Sequence, residues 1–295
     1  MMRMHKPQPV GSFENLRSRV ETFFKSPVTT RRDERALSLD LLPPDNQRAS
    51  IQYPSTSIGE FINFMSDAMP QGDIYLFGGI LRDLALYGRR GFSSDIDLVV
   101  EGDWSHCVNY LESLGAQQNK FGGYRFEIAS WPVDIWNAQE TWAIRKGLVS
   151  YRGIASLTET TILNWDAILM SWRTRRFIHR RHYLEHLRDR ALDIVLEHNP
   201  NPLGMVTRVF RHLCTKDARR ITPSAVRFLA EATAKYTFHE IMNEEIRSYA
   251  NSEIQPPIYR LFEHFSEVEE SDVGRRFSIA SDVLRRELGL LPHDF

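Results

Sequence analysis

Residues 77–103, with the sequence FGGILRDLALYGRRGFSSDIDLVVEGD, constrain the fold of this chain more than any other stretch. The apolar run that ends at Phe77 is followed by Gly78 and Gly79, and a helical pattern then continues to the glycine at position 88. A loop leads into DIDLVV, where polar and apolar residues alternate as they do in a half-buried strand. The stretch therefore predicts a strand, a glycine turn, a helix and a second strand, in that order.

The glycine turn has the composition of a phosphate-binding turn. Glycines between a strand and a helix let the backbone approach an anion closely, and the start of the helix offers free N–H groups at the positive end of its dipole. Arg82, in the first helical turn, would reach the same anion. A Gly-Gly pair in this position is weak evidence on its own, because many such turns use glycine only for packing.

Two aspartates at the start of the second strand add a more specific signal. Residues i and i+2 of a strand point to the same face, so Asp95 and Asp97 place two carboxylates side by side. Asp134 lies in a third predicted strand, VDIW, between core residues. If that strand neighbours the second, three carboxylates converge, and such a cluster can hold two Mg²⁺ ions for displacement at phosphorus. The alternatives are a solvated polar face for the first two aspartates and a strand-end cap for Asp134.

The combination of GG-x-x-RD, DIDL and a later VDIW resembles the poly(A) polymerase and tRNA CCA-adding class of nucleotidyltransferases, within the polymerase-β-like superfamily. The resemblance is specific over residues 77–100 and extends to residues 121–142. More loosely, TETTILNWDAIL and NPLGMVTRVFRHL resemble segments that follow the catalytic strands in that class.

The resemblance implies a role for each matching residue. In that class the positions of Gly78, Gly79, Arg82 and Asp83 hold the triphosphate, with Asp83 supporting the turn. The three carboxylates would bind two Mg²⁺ ions and carry the catalysis. Further along the chain, the positions of Arg208 and Arg211 would face the nucleotide or the acceptor. The implied substrate is ATP or CTP.

The pattern of elements predicts an α+β fold. Helix and strand signals alternate over residues 57–150, which predicts a small head domain with a mixed sheet. Its first helix is expected to begin at Ser57, which is spaced from Glu60 as in a capping box. From about residue 160 helical patterns dominate, which predicts an all-α neck and body over residues 151–295. The predicted helices include TILNWDAILMSW, RRHYLEHLRDRALDIVLEH and one that begins at Thr222-Pro223, an N-cap followed by proline. Residues 1–56 are expected to form a separate, partly helical N-terminal segment with one amphipathic helix near its start.

The composition excludes several classes of protein. The chain has 37 basic and 38 acidic residues and a formal charge of −1, so it does not bind nucleic acid through global charge. Locally, residues 171–220 contain 11 Arg and 1 Lys against 5 acidic residues, which suits either a polyanionic partner or a solvated helix face. Two cysteines are too few for a disulfide framework. With no apolar run of about 20 residues and no leader-like start, we expect a cytoplasmic protein that does not cross a membrane.

Three weaker patterns have competing interpretations. HYLEH, with histidines at 182 and 186 on one helical face, matches a zinc peptidase string, but the surrounding arginines favour a surface helix. Trp131, Trp136 and Trp142 would stack a base or, as we favour, pack in the core. Cys107 and Cys214 are interpreted as core residues.

Together, these patterns predict a Mg²⁺-dependent nucleotidyltransferase. It would transfer a nucleoside monophosphate from an NTP to a hydroxyl acceptor, with release of pyrophosphate. An RNA 3′ end is the favoured acceptor; a protein, a small molecule and another nucleotide remain alternatives, and a partner protein stays open. The second hypothesis is a nucleotide-binding or scaffold protein without turnover, because the chain lacks the Glu-Asp-x-x-Arg string with which that class chooses its base.

Overall fold

The protein divides into two compact units in a computed structural model that describes residues 6–25, 49–50, 57–92, 94–119, 121–128, 131–254, 257–265 and 272–292. The first unit comprises Met1–Thr161 and Trp165–Leu184, and the second comprises Ile162–Asn164 and Glu185–Phe295. The boundary expected after residue 150 therefore falls inside the first unit. Of the expected N-terminal segment over residues 1–56, only residues 6–25 and 49–50 are described, and the division into three parts stays a prediction.

The helices of the first unit follow the predicted pattern closely. They are α1 (Phe13–Lys25), α2 (Ile58–Asp67), α3 (Gly79–Tyr87), α4 (Trp104–Ser113) and the short α5 (Trp142–Arg145). The amphipathic spacing of α1 buries Leu16, Val20 and Phe23. Helix α2 begins at its predicted cap, because the Ser57 side chain accepts a hydrogen bond from the Glu60 amide. Helices α1 to α4 are confirmed, whereas α5 was not predicted. The rest of the expected N-terminal segment, residues 26–48, lies outside the described part of the chain.

The first unit is built on an eight-stranded mixed sheet with the order β1-β5-β6-β3-β2-β7-β8, and β4 pairs with β5. The strands are β1 (Ala49–Ser50), β2 (Asp73–Phe77), β3 (Ile96–Glu101), β4 (Gln117–Gln118), β5 (Tyr124–Ile128), β6 (Trp131–Asn137), β7 (Ile168–Ser171) and β8 (Phe177–His179). Strands β3 and β6 run parallel, whereas β2 is antiparallel to both β3 and β7. One face of the central strands packs in a core cluster that contains Tyr75, Phe77, Val99 and Leu169.

Strand β7 differs from the sequence-based expectation, which assigned TILNWDAILMSW to a helix. Ile168–Ser171 instead forms a strand between β2 and β8, and all four of its residues are buried. A short apolar run that is buried on both faces has no alternation to identify it, so periodicity alone does not distinguish it from a helix. The sheet thus continues about 30 residues beyond the predicted head.

The second unit is mainly helical. Its helices are α7 (Pro202–Thr215), α8 (Pro223–Lys235), α9 (Phe238–Tyr249), α10 (Pro257–Phe265) and α11 (Val273–Leu288), and the chain enters it within α6 (Tyr183–Asp189). Helix α8 begins as predicted, with the Thr222 side chain as its N-cap and Pro223 in its first turn.

A mixed-sheet head followed by a helical body is confirmed as the fold class, with two corrections in the body. The second unit also contains a three-stranded parallel sheet formed by β9 (Ala191–Leu192), β10 (Arg220–Ile221) and β11 (Leu291–Pro292). In addition, the predicted helix over RRHYLEHLRDRALDIVLEH is helical only in α6. The short strand β9 begins two residues after that helix.

Two smaller expectations concern membranes and cysteines. Within the described ranges, the helices are too short or too polar to cross a membrane. Cys107 is buried on α4, and this burial raises the pKa of its thiol to about 12. Cys214 is only partly buried. Cys107 is therefore an inert packing residue, as expected.

Candidate functional site

The strand register brings two of the three predicted carboxylates together. In the parallel pair of β3 and β6, Asp97 lies directly opposite Asp134. On the other side of β3, Asp97 is opposite Phe77, the last residue of β2. Directly paired residues project to the same face of a sheet. The side chains of Asp97 and Asp134 therefore stand side by side, next to the strand end that leads into the glycine turn.

Asp95 lies one residue before β3, at the same end of the sheet. The predicted alternation holds in the strand that follows, because Ile96 and Leu98 are fully buried whereas Asp97 is partly exposed. Asp95 and Asp97 thus precede and begin the strand, and neither is part of the apolar core.

The turn between β2 and α3 requires glycine at position 78 and has little room for a side chain at position 79. Gly78 has a φ angle of +63°, a region that L-residues with a side chain rarely adopt, and its N–H donates to the Ile168 carbonyl. A Cβ atom on Gly79 would lie 3.0 Å from the Ser94 Oγ. Helix α3 has no side-chain cap, so amides of its first turn are left for another acceptor. The structure therefore provides the backbone that a phosphate-binding turn needs, and its contact with a triphosphate stays a prediction.

Arg82 lies beneath this turn as an internal brace. Its guanidinium donates to Asp83 (2.9 Å), to Ser94 (2.7 Å) and, in an ion pair, to Asp166. The Ser94 hydroxyl in turn donates to the second Asp83 oxygen at 2.7 Å. Arg82 is only 5% exposed. Burial by itself would lower the pKa of Arg82, but Asp166 and Asp83 more than offset it, so its pKa is raised and its charge is permanent.

This arrangement changes the interpretation of the predicted Arg82–Asp83 pair. The Arg82 side chain is directed into the protein, where it joins α3 to the residue before Asp95 and to the residue two before β7. Asp83 accepts hydrogen bonds from Arg82 and Ser94, and its support of a phosphate-binding turn stays a prediction. The observed contacts give no support to a contact between Arg82 and a phosphate, which stays a prediction.

Arg125 is the cation that faces the carboxylates. It lies opposite Asp134 in the β5–β6 pair, and its guanidinium contacts both Asp134 oxygens, with Nε–Oδ1 at 2.6 Å and Nη2–Oδ2 at 3.4 Å. Burial would lower the pKa of Arg125, but the charges of Asp134, then Asp95 and Asp97, raise it overall. The guanidinium therefore lies in the field of all three aspartates.

The three aspartates have the chemistry to hold a divalent cation, and the number of ions that they bind stays a prediction. Aspartate oxygens are hard donors of the kind Mg²⁺ takes, and two of the three carboxylates are adjacent. No group of three His, Cys, Asp or Glu residues in the described ranges is close enough to hold a metal ion. Arg125 already contacts Asp134, and joint binding of a metal ion by the three carboxylates stays a prediction.

The two arginines predicted further along the chain belong to the second unit. Arg208 and Arg211 lie on α7, where Arg208 is exposed. Arg211 instead forms an ion pair with the fully buried Glu245 and stacks over the Tyr249 ring at 4.4 Å. Arg211 therefore holds α7 against α9, and a nucleotide or acceptor role for either arginine stays a prediction.

For HYLEH and for two of the three tryptophans, the contacts correspond to packing roles rather than to zinc binding or base stacking. His182 precedes α6 with a φ angle of +59°, so HYLEH is not one helical face, contrary to the zinc interpretation. Trp136 packs against Phe77 and donates to the Thr141 hydroxyl at 3.0 Å. Trp131 packs against aromatic rings of α1 and of the loop before β3.

Three residues at this end of the sheet were missed by the sequence analysis. In YRFEI, Arg125 is a partly exposed position between two buried ones. A basic residue on a strand that precedes the strand of Asp134 is the signal that could have identified it. Ser94 directly precedes DIDL, but a serine in a loop carries no specific signal. Asp166 could not have been found, because its segment was assigned to a helix.

The fold of this chain is similar to that of several solved structures. A structure described as a tRNA-processing enzyme in apo form I is similar with a TM-score of 0.51 and 16% identity, over 75% of this chain and 59% of that one. A tRNA nucleotidyltransferase complexed with a primer tRNA and an incoming ATP analogue gives 0.49 and 16%, over 78% and 70%. The Thermotoga maritima CCA-adding enzyme complexed with tRNA gives 0.45 and 17%, over 90% and 54%.

These likenesses concern the fold alone, because the identities are low. The present chain spans about three-fifths of the length of the tRNA-processing enzyme, with 59% of that chain covered. No family model matches the sequence, and a search of curated proteins finds no match. The comparison therefore supports a head and body of this architecture and leaves the activity to be proposed.

We expect Arg82→Met to destabilise the first unit by about 3–5 kcal/mol, because it leaves Asp83 and Asp166 buried without their cation. Urea unfolding measures the change. The matched control, Arg90→Met at an exposed position, should alter stability by less than about 0.5 kcal/mol. If Arg82→Met is as stable as the wild type but binds ATP more weakly, the result would support the predicted contact between Arg82 and a phosphate.

We expect Arg125→Gln to tighten Mn²⁺ binding by roughly tenfold, because it removes a cation from the field of three carboxylates and releases Asp134. Electron paramagnetic resonance of free Mn²⁺ measures the affinity. Arg145→Gln, at an exposed position on α5, is the control and should leave it unchanged. An unchanged affinity in the Arg125 variant would show that this guanidinium does not compete with a metal ion.

Proposed function

We propose that the protein transfers a nucleoside monophosphate from an NTP to a hydroxyl acceptor, with an RNA 3′ end as the favoured acceptor. The observation that carries the proposal is the pairing of Asp97 with Asp134 beside the Gly78–Gly79 turn, with Asp95 two residues earlier. The shared fold with a tRNA-processing enzyme and the matching sequence motifs support it.

In the proposed transfer reaction, residues of the first unit bind the phosphates and the acceptor attacks the α-phosphorus. The acceptor oxygen forms a bond to the α-phosphorus while the bond to the β-phosphate oxygen breaks, and pyrophosphate leaves with that electron pair. The first-turn amides of α3 bind phosphate oxygens, because they lack an internal acceptor and lie at the positive end of the helix dipole. The acceptor hydroxyl loses its proton to solvent or to a nearby carboxylate.

The aspartates would hold the divalent cation that this chemistry uses. Asp95 and Asp97 are its first ligands in the proposal, and Asp134 joins them when Arg125 releases it. Bound Mg²⁺ supplies neutralisation of the phosphate charge. Arg82 contributes indirectly, since it fixes the glycine turn relative to the loop that carries Asp95.

The pairing of Arg125 with Asp134 favours a second candidate, a protein that binds a nucleotide without turnover. A guanidinium that permanently satisfies the third carboxylate would leave binding intact and slow the transfer. Calorimetry with ATP and CTP, followed by a pyrophosphate-release assay, separates the candidates. Binding without pyrophosphate release would support the second.

We expect Asp95→Asn combined with Asp97→Asn to lower NMP incorporation by about three decades or more, because the variant removes the negative charges that hold the cation. Incorporation of labelled NTP into RNA is the measurement. Asp67→Asn, at an exposed position at the end of α2, is the control and should retain wild-type activity. Wild-type incorporation by the double variant would refute the proposed function.

A further inference from the structure

Directly after β8, the most basic segment of the first unit contains two arginines whose side chains have no contact within the described residues. Residues 173–182 (RTRRFIHRRH) include five arginines and two histidines and no acidic residue. Arg173 is used internally, because it donates to three backbone carbonyls, and Arg175 stacks over the Trp172 ring at 3.8 Å. Arg180 and Arg181 are exposed, and their guanidinium groups have no partner in the described part of the chain.

The sheet register places this pair at the end of the sheet that carries the candidate site. Phe77 pairs with Asp97 on one side and with Leu169 on the other, and Leu169 pairs with Ile178. Asp95, Gly78 and Arg180 therefore all lie beyond the same end of their strands. Strand β8 is three strands from β3, a separation of roughly 14 Å at about 4.8 Å per strand.

The backbone around the pair is anchored on both sides. The Arg180 N–H donates to the Ala167 carbonyl at 3.2 Å. Two residues after the pair, Tyr183 is buried, and its hydroxyl donates to the Trp165 carbonyl at 2.9 Å. Both anchors lie next to Asp166, the partner of Arg82, and burial together with the Asp166 charge raises the pKa of Tyr183. The two arginines are thus exposed side chains on a fixed support.

An aromatic ring completes the surface. His179 precedes the pair, is exposed, and stacks on Phe13 with ring centroids 4.3 Å apart. Guanidinium groups beside an aromatic ring are typical of surfaces that bind single-stranded nucleic acid, where arginine contacts phosphates and rings stack on bases. RNA is favoured over an acidic protein as the partner, because an acidic protein would contact the two guanidinium groups but would not need the His179 ring.

We propose that Arg180 and Arg181 bind backbone phosphates of a single-stranded RNA acceptor whose 3′ end lies at the carboxylates. The position of the 3′ end rests on the proposed function. A separation of roughly 14 Å corresponds to about four stacked nucleotides at about 3.4 Å each. The arginines therefore hold the strand upstream of its reactive end and take no part in the bond changes.

The test compares Arg180→Ala/Arg181→Ala with Arg145→Ala/Lys146→Ala, which removes another adjacent, exposed basic pair from the same unit. Anisotropy of a fluorescein-labelled single-stranded RNA of about 12 nucleotides is measured between roughly 50 and 200 mM salt. Calorimetry with ATP and Mg²⁺ and a thermal unfolding curve are recorded for each protein.

We expect the Arg180/Arg181 variant to bind the RNA about tenfold more weakly and to lower the salt slope by about 1.4, or about 0.7 for each lost phosphate contact. Its ATP affinity and unfolding temperature should match the wild type, because both side chains are exposed. Equal slopes for variant and wild type, or an equal loss in the control pair, overturn the proposal. Weaker ATP binding with unchanged RNA binding also overturns it and assigns the pair to the triphosphate.

The RNA-binding test can succeed or fail independently of the proposed transfer reaction. RNA binding is measured without turnover, and the Asp95→Asn/Asp97→Asn protein should show the same dependence on the arginine pair. RNA binding through Arg180 and Arg181 in a protein that incorporates no nucleotide would support this surface and refute the transfer reaction. Absence of RNA binding in the wild type would refute this surface alone.

Discussion

The buried contact of Arg82 with Asp83, Ser94 and Asp166 is the constraint on which the candidate site depends. These partners come from three separate stretches of the chain: the helix after the glycine turn, the loop before Asp95, and the segment before β7. Removing one member of such a network leaves a buried charge without compensation, which is much more costly than losing a surface ion pair. The network thereby fixes the end of the sheet at which the glycine turn and the carboxylates lie.

The charges of Arg125 and the three aspartates also balance one another at this end of the sheet. Three aspartates in one region repel one another, and the positive charge of Arg125 offsets that repulsion in the protein itself. A nucleotide with its cation would have to compete with this guanidinium for Asp134. The strength of that competition separates a transferase from a protein that only binds nucleotides, so Arg125 is as informative about function as the aspartates are.

Much of the site could be predicted from sequence because its parts are local. The positive φ of Gly78 needs glycine, an aspartate pair at i and i+2 shares one strand face, and both patterns are visible within a few residues. The adjacency of Asp97 and Asp134 was stated only as a condition, since strand order depends on pairing between distant segments. Asp166 was missed for the same reason, because its partner Arg82 lies 84 residues away, whereas Arg125 lies only 9 residues from Asp134 and carries a local signal.

The sequence by itself determined the strand, turn, helix and strand of residues 73–101, the start of α8 at Thr222, and the alternation that leaves Asp97 out of the core. These features follow from local steric preferences and from periodicity. Only the tertiary structure decided that β7 joins the sheet, that Arg82 faces inward, and that Arg180 lies at the same end of the sheet as Asp95. Each of those outcomes depends on which distant strands pair and in which register, and that choice is made by the burial of whole strand faces together.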